Sequence, residues 1–327
     1  MRFRRLGTEG PLVAPIALGC EALSEGTDEA DLVATVRAAL DAGITVLDTG
    51  DFYGMGYSEE IIRKALGAHR DRALLSVKFG GLRDPDGTFV GIEGRPAHVK
   101  NALAYSLRRL GTDHVDIYRP SRLDPATPIE DTVGAIAEMV QAGHVRHIGL
   151  SEVGAGTIRR AHAVHPLCDV QIEFSLFSRS PETNGIFDTC RELGIGVTAY
   201  GVLSRGLLTG AYAPPPGGDP RAGYLPRFRP ENLPTNLALA DRLRPLADAR
   251  GVTIAQLAIA WALTRFPSLV AVVGTRRPHR IPATVAAAGL SLTPDDLTAI
   301  DRAIPAEAVA GSRYAAPLMP LLDSERT

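Results

Sequence analysis

The amino-acid sequence predicts an α/β protein folded as a (β/α)8 barrel of the TIM type, and three observations carry that prediction. Eight short apolar runs recur along the chain, segments of helical periodicity separate them, and a helix-glycine-strand junction repeats. The junction is clearest in Leu40-Asp41-Ala42-Gly43-Ile44-Thr45-Val46-Leu47-Asp48, and it returns at Ala142-Gly143-His144-Val145 and Leu193-Gly194-Ile195-Gly196-Val197. Glycine suits the left-handed position just past a helix, and the run after it suits a strand buried on both faces.

The elements follow in order. Phe3-Arg4-Arg5-Leu6 and Leu12-Val13-Ala14 flank Gly7-Thr8-Glu9-Gly10, a hairpin pattern expected to close the barrel floor. Strands are predicted at 16–19, 44–48, 74–78, 115–118, 147–150, 170–173, 196–200 and 269–273. Helices are predicted at 28–42, 58–68, 95–110, 128–142, 155–165, 183–193 and 236–250, with further helix at 253–266 and 280–288. In the first of them Val33, Val36 and Leu40 mark one face, behind Thr27 as the expected N-cap. Residues 211–235 include Ala213-Pro214-Pro215-Pro216-Gly217-Gly218-Asp219-Pro220, a composition that cannot build a core. The alternation continues on both sides, so this stretch reads as an irregular loop over one barrel face. The whole chain, 1–327, is therefore expected to be one domain ending in a tail at 305–327. Trp261, in the apolar segment Ala255-Gln256-Leu257-Ala258-Ile259-Ala260-Trp261-Ala262, is expected in the core.

Composition narrows the function. The chain has 327 residues, 45% hydrophobic and 22% charged, with a formal net charge of -2, which argues against a dedicated nucleic-acid or membrane-surface partner. The charged start Met1-Arg2-Phe3-Arg4-Arg5 leads into no apolar run, and nowhere do 18 uncharged apolar residues follow one another. A soluble, cytoplasmic protein acting on a small molecule is expected. Cys20, Cys168 and Cys190 are widely separated and form no CxxC pair, so free, buried thiols are expected. The pairs His144/His147 and His162/His165 lack a third ligand, and no metal is expected. Gly54-Met55-Gly56 fails as a dinucleotide loop, because Glu59 stands where the third glycine belongs. The cluster Arg276, Arg277, His279 and Arg280 suits one bound phosphate better than a nucleic acid.

In such a barrel the active site collects at the C-terminal strand ends. The sequence places Asp48, Lys78, Ser151, Gln171, Glu173 and Tyr200 there. Any one of them suits a hydrogen-bonded structural group, but together they mark a site. Asp48-Thr49-Gly50-Asp51-Phe52-Tyr53-Gly54 with Ser58-Glu59-Glu60, and Lys78 in Ser76-Val77-Lys78-Phe79, resemble the signatures of the aldo-keto reductases. The resemblance runs from about residue 3 to about residue 304, through Gly143-His144-Val145-Arg146-His147-Ile148-Gly149-Leu150-Ser151 and Arg205-Gly206-Leu207-Leu208-Thr209-Gly210.

That resemblance implies an oxidoreductase using NADPH/NADP+ to reduce an aldehyde or ketone, or in reverse to oxidise an alcohol. It implies Asp48, Tyr53 and Lys78 as catalytic residues. Carbonyl reduction needs hydride at carbon, which a nicotinamide supplies, and a proton at oxygen, which the protein supplies. Tyr53 is the expected donor. A free phenol titrates near about 10, and a neighbouring ammonium, here Lys78, is expected to lower that value while Asp48 fixes the lysine. Asp48 and Lys78 equally suit a buried ion pair closing the barrel mouth. The family's usual histidine after the fourth strand is replaced by Ser121, within Tyr118-Arg119-Pro120-Ser121-Arg122. Serine donates a hydrogen bond but is shorter and uncharged. Loss of one such donor costs about a hundredfold to a thousandfold in rate. Compensation is expected from Arg119, Arg122, a water, or a substrate with its own polar group.

The resemblance also implies a cofactor path. Ser151 and Gln171 match the groups that bind the nicotinamide carboxamide, with Glu152 where asparagine is usual. Tyr200 matches the residue stacking on the nicotinamide ring, although a core aromatic is the alternative. Gly201, Leu203, Ser204, Arg205 and Gly206 match the pyrophosphate segment. Gly274, Thr275, Arg276 and Arg280 match the segment for the adenosine 2'-phosphate, and Thr284 replaces the usual adenine-binding asparagine. Gly19 is expected on the same path. Arginine engages phosphate bidentately, so NADPH is favoured over NADH. Ser121 leaves a second function open, an NADPH-binding regulatory or sensor protein with little turnover. Substrate choice is expected to lie in loops near 20–26, 83–95 and 211–235.

Overall fold

The computed structural model describes residues 1–23 and 27–325. Eight parallel strands form a closed ring in chain order: β1 (Ile16–Gly19), β2 (Val46–Gly50), β3 (Leu74–Phe79), β4 (Val115–Pro120), β5 (Val145–Ser151), β6 (Leu167–Glu173), β7 (Gly196–Tyr200) and β8 (Leu269–Gly274). β8 pairs with β1, which closes the barrel. All eight predicted strands are present. β2 begins two residues later than expected, because the amide of Ile44 donates to the carbonyl of Ala39 and so belongs to the end of the preceding helix. The repeated junction has the predicted cause: Gly43, Gly143 and Gly194 have φ of 88°, 82° and 68°.

Around the ring lie α1 (Glu29–Asp41), α2 (Tyr57–Leu66), α3 (Pro96–Leu110), α4 (Ile129–Gln141), α5 (Ala155–Val164), α6 (Ile186–Glu192), α7 (Leu233–Asp241), α8 (Arg244–Asp248), α9 (Ile254–Thr264), α10 (Ile281–Ala287) and α11 (Pro294–Ala303). Three expectations need correction. Asp28, not Thr27, caps α1, its carboxylate accepting from the Ala30 amide at 2.7 Å. The helix predicted at 236–250 is two helices, with Pro245 in the first turn of the second. α11 was not predicted, although Thr293 and Asp296 form a reciprocal capping box at its start. A second hairpin, pairing Gly81–Arg83 with Phe89–Ile92, follows β3 and was also missed. Within the irregular stretch, short turns at Pro220–Gly223 and Pro226–Phe228 bury Leu225 and Phe228. Trp261 is fully buried and stacks on Phe174 at 5.3 Å. All three cysteines are free and buried. No helix among the described residues is long and apolar enough to cross a membrane.

The N-terminal hairpin, Arg4–Arg5 paired with Leu12–Val13, closes the barrel floor. Leu6 and Val13 are buried with Ala17, Val46, Ile117, Cys168, Val270 and Val272, a cluster distinct from the larger one between strands and helices. Gly7 makes the closure possible. At φ 71°, a Cβ there would lie 2.5 Å from the Cys168 carbonyl oxygen and 2.7 Å from the Gly196 nitrogen. Gly87, with φ 84°, has nothing within 4 Å of the same position. Denaturant unfolding is therefore expected to show a loss of about 1 kcal/mol for Gly87→Ala, from backbone conformation alone, and on the order of 3 kcal/mol or more for Gly7→Ala, where backbone atoms also clash. Equal losses would mean that the floor does not depend on this close approach.

Candidate active site

Parallel register brings the polar residues of neighbouring strands into layers. Asp48 on β2 lies opposite Ser76 on β3, and Lys78 lies two residues further along, on the same face. Both ionised groups are about 4% exposed. Lys78 Nζ donates to Asp48 Oδ2 at 2.5 Å, while Asp48 Oδ1 accepts from Ser76 Oγ at 2.9 Å and from Gln171 Nε2 at 2.8 Å. Burial alone would push the Asp48 carboxyl up, but Lys78 and Arg119 hold its pKa below the ordinary carboxylate value. The Lys78 ammonium is lowered, chiefly by burial, with Asp48 opposing and Arg119 adding to the drop.

Arg119 belongs to the layer beneath. It is fully buried, with Nη1 3.0 Å from Asp169 Oδ2 and Nη2 donating to Ser76 Oγ at 3.1 Å, while Thr198 Oγ1 donates to the same Asp169 oxygen. The expectation that Arg119 compensates for Ser121 at the mouth therefore fails, because Asp169 and Ser76 hold its guanidinium inside the barrel, although Nε and Nη1 have no hydrogen-bond partner among the described residues. Ser121 directly follows β4, with its amide donating to the Phe79 carbonyl at 2.8 Å. It is 4% exposed, and its Oγ has no hydrogen-bond partner among the described residues.

Tyr53 stands on a tight turn, Tyr53–Gly56, that leads into α2. Gly54, Met55 and Gly56 have φ of 56°, 52° and 99°, so a non-glycine residue occupies the left-handed region directly beside the phenol. The ring is half-buried, meets Phe52 edge-on at 4.9 Å and has Lys78 Nζ 5.1 Å from its centroid. Its pKa runs opposite to the expectation. Burial, then Glu21 and Asp48, hold the phenol well above its ordinary value, and Arg205 and Arg122 pull the other way. Burial is the largest of these causes, and the charge of Lys78 is shared with the Asp48 carboxylate 2.5 Å away.

The expected cofactor residues all fall at the same end of the barrel. Gly19 lies opposite Gly274 in register, and Ser151, Gln171 and Tyr200 lie on or at the ends of β5, β6 and β7. Ser151 is buried, and its Oγ has no partner among the described residues. After Tyr200, the Ser204 amide donates to Gly201 and the Gly206 amide to Leu203, and Ser204, Arg205 and Gly206 have φ of 45°, 56° and 108°. Arg205 pairs with Glu21 at 3.1 Å and donates to the Tyr314 hydroxyl at 3.2 Å. Thr275 Oγ1 accepts from the Arg277 amide, and Arg276, Arg277 and Arg280 are exposed and make no ion pair among the described residues. Thr284 Oγ1 donates to the Arg280 carbonyl at 3.1 Å. Of the substrate loop at 20–26, residues 24–26 lie outside the described residues.

Sequence reasoning missed the role of residues 313–325. Glu152, fully buried at φ 55°, accepts from Arg313 Nη2 at 2.6 Å, from the Tyr200 hydroxyl at 2.8 Å, from the Glu173 amide and from Ser324 Oγ. Arg313 also meets Glu173 at 3.3 Å and pairs with Glu325, and Asp323 accepts from the Gly154 amide at 2.8 Å. Residues 313–325 of the expected tail are thus a strap fixed at the barrel mouth. A glutamate in place of the usual asparagine was the one available signal, since a buried carboxylate calls for a buried cation.

A closed parallel barrel gathering an acid, a lysine, a phenol and unpaired arginines at its C-terminal mouth is built as an enzyme. The model of the Aldo/keto reductase family matches residues 15–305, and the chain belongs to that family of oxidoreductases. It is 38% identical over 319 residues to a probable aldo-keto reductase of Glycine max, covering 95% of this chain and 91% of that protein. It also resembles the solved glycerol dehydrogenase of Gluconobacter oxydans, with a TM-score of 0.83, 29% identity and coverage of 99% and 97% of the two chains. A holo-form aldo-keto reductase of Bacillus halodurans gives a TM-score of 0.77 at 28% identity, covering 94% and 97%.

Arg313 and Arg122 hold the Glu152 carboxyl down to about 2, against an ordinary 4.5, although burial opposes them. A depressed carboxyl stabilises the fold above the unfolded value and loses that contribution as pH falls through the folded one. Urea unfolding between about pH 2 and 5 is expected to show an acid loss in wild type that is smaller in Glu152→Gln, by on the order of 2–3 kcal/mol. Superimposable acid limbs would contradict the pairing.

Proposed function

We propose that the protein is an NADPH-dependent reductase of aldehydes or ketones, working in reverse as an alcohol dehydrogenase, with Tyr53 as general acid and base. The observation that carries this reading is the buried Asp48–Lys78 pair set beside the half-buried Tyr53 ring at the barrel mouth. The residues present fit a dinucleotide: Ser151 holds a buried hydroxyl without a partner, Tyr200 is anchored through its hydroxyl to Glu152, and exposed arginines stand at Arg276 and Arg280. Ser151 and Gln171 would hold the carboxamide, Tyr200 the ring, the segment from Gly201 to Gly206 the pyrophosphate, and Gly274, Thr275, Arg276 and Arg280 the 2'-phosphate. When bound, the nicotinamide supplies or accepts hydride.

In reduction the Tyr53 hydroxyl gives its proton to the carbonyl oxygen. Its raised pKa keeps it protonated and ready to donate at neutral pH. The phenolate left behind is stabilised by the Lys78 ammonium, which Asp48 holds in place and in charge. Ser121 Oγ is free to donate to the same carbonyl oxygen. In oxidation the roles reverse, and the alcohol passes its proton to Tyr53; similarity to a glycerol dehydrogenase supports including this direction. The substrate is a small carbonyl or alcohol met in the cytoplasm.

The test is NADPH absorbance followed across aldehydes, ketones and quinones. Tyr53→Phe is expected to lower kcat by about a hundredfold or more with NADPH affinity kept. Turnover unchanged by that substitution would contradict the mechanism, and tight NADPH binding with no turnover on any carbonyl would favour a sensor. Arg280→Ala is expected to weaken NADPH by about tenfold more than NADH, read by fluorescence titration. Equal weakening of the two would show that the 2'-phosphate lies elsewhere.

A further inference from the structure

Two polar groups next to one another after β4 lack the partners that their burial calls for. One is Ser121, whose buried Oγ is unpartnered among the described residues. The other is Arg122. Its guanidinium is partly buried and makes one hydrogen bond, from Nη1 to the Ser121 carbonyl oxygen at 2.6 Å, and no ion pair among the described residues. The other arginines buried or half-buried around it each have a carboxylate: Arg119 has Asp169, Arg205 has Glu21, Arg227 has Glu173, and Arg313 has Glu152, Glu173 and Glu325, whereas the unpaired Arg276, Arg277 and Arg280 are exposed to water. Glu152, whose charge Arg122 feels without contact, already accepts from Arg313, Tyr200, Ser324 and the Glu173 amide. A partly buried cation with no carboxylate in contact is costly unless a ligand brings one. Arginine's planar fork, with most of its donors unused, matches a carboxylate or a phosphate. The position is also apt, since the charge of Arg122 is felt at Tyr53, Tyr200 and Tyr314, the residues that frame the reacting end.

We propose that Arg122 is a specificity-determining residue that binds an anionic group, carboxylate or phosphate, carried by the carbonyl substrate itself. This rests on the reductase reading above. Anchoring the charged end orients the substrate and leaves Ser121 only the carbonyl oxygen to meet, so the short, neutral serine suffices.

The experiment compares 4-carboxybenzaldehyde with its methyl ester, and glycolaldehyde phosphate with glycolaldehyde, in wild type, Arg122→Ala and Arg122→Lys. Wild type is expected to favour the charged member of at least one pair by about tenfold or more in kcat/KM. Arg122→Ala is expected to erase that preference, mainly through KM, and Arg122→Lys to restore part of it. The pair that responds distinguishes carboxylate from phosphate. Equal losses on charged and neutral members, or a preference that survives Arg122→Ala, would overturn the assignment. If wild type reduces no carbonyl, the reductase reading falls by itself. Calorimetric titration of 4-carboxybenzaldehyde and of glycolaldehyde phosphate into the NADP+-saturated protein then decides the inference: at least one is expected to bind wild type about tenfold more tightly than Arg122→Ala, and equal affinity for both would overturn it.

Discussion

Two opposite charges buried at the barrel mouth set the terms for the rest of the site. Left alone, either Asp48 or Lys78 would be driven towards its neutral form by the loss of water. Their contact at 2.5 Å, with Ser76 and Gln171 donating to the second carboxylate oxygen, opposes that tendency. Ser76 also accepts from Arg119, so the Arg119–Asp169 pair beneath is joined to the pair above through one hydroxyl. The barrel interior is thereby a graded stack: an apolar floor under the N-terminal hairpin, a fixed ionic layer, and a mouth where polar atoms remain unpartnered. At the top of that stack Ser121 and Ser151 keep hydroxyls without a partner among the described residues, where the proposed chemistry would take place.

A second ionic system stiffens the rim. Glu152 links Tyr200 to Arg313 and Ser324, and Arg205 links Glu21 to Tyr314. The C-terminal strap and the segment after β7 are therefore held through shared partners. A ring meant to present one face to a ligand benefits from a hydroxyl fixed at its edge, and Tyr200 has that anchor. The same saturation of Glu152 leaves Arg122, which feels its charge, without an ion pair among the described residues.

Much of the barrel was legible because its signals are local. A left-handed glycine after each of several helices and a β-branched run after the glycine name a junction without any tertiary information, and Gly43, Gly143 and Gly194 show it. Asp48, Lys78, Gln171 and Tyr200 were legible as well, since parallel register turns a position at a strand end into a position at the mouth. What escaped was long-range. Arg313 is 161 residues from Glu152, and nothing around it in the chain announces that partner. The direction of the Tyr53 shift escaped for a similar reason, because the sequence supplies a lysine but shows neither how far the phenol is buried nor that Glu21 comes near it. Helix α11 is a different kind of miss, since its capping box was readable and its apolar face is short.

The central claim is that Asp48 sustains the charge of Lys78 against burial, and the chain offers a direct way to observe it. Lys64, Lys78 and Lys100 are its three lysines, so protein labelled with 13C at the lysine ε-carbon gives three resonances to follow through a pH titration, with Lys64→Arg and Lys100→Arg assigning them. Lys78 is expected to hold its proton to higher pH in wild type than in Asp48→Asn, where burial and Arg119 act unopposed. A Lys78 resonance that titrates at the same pH in both proteins, or later in the variant, would contradict the account.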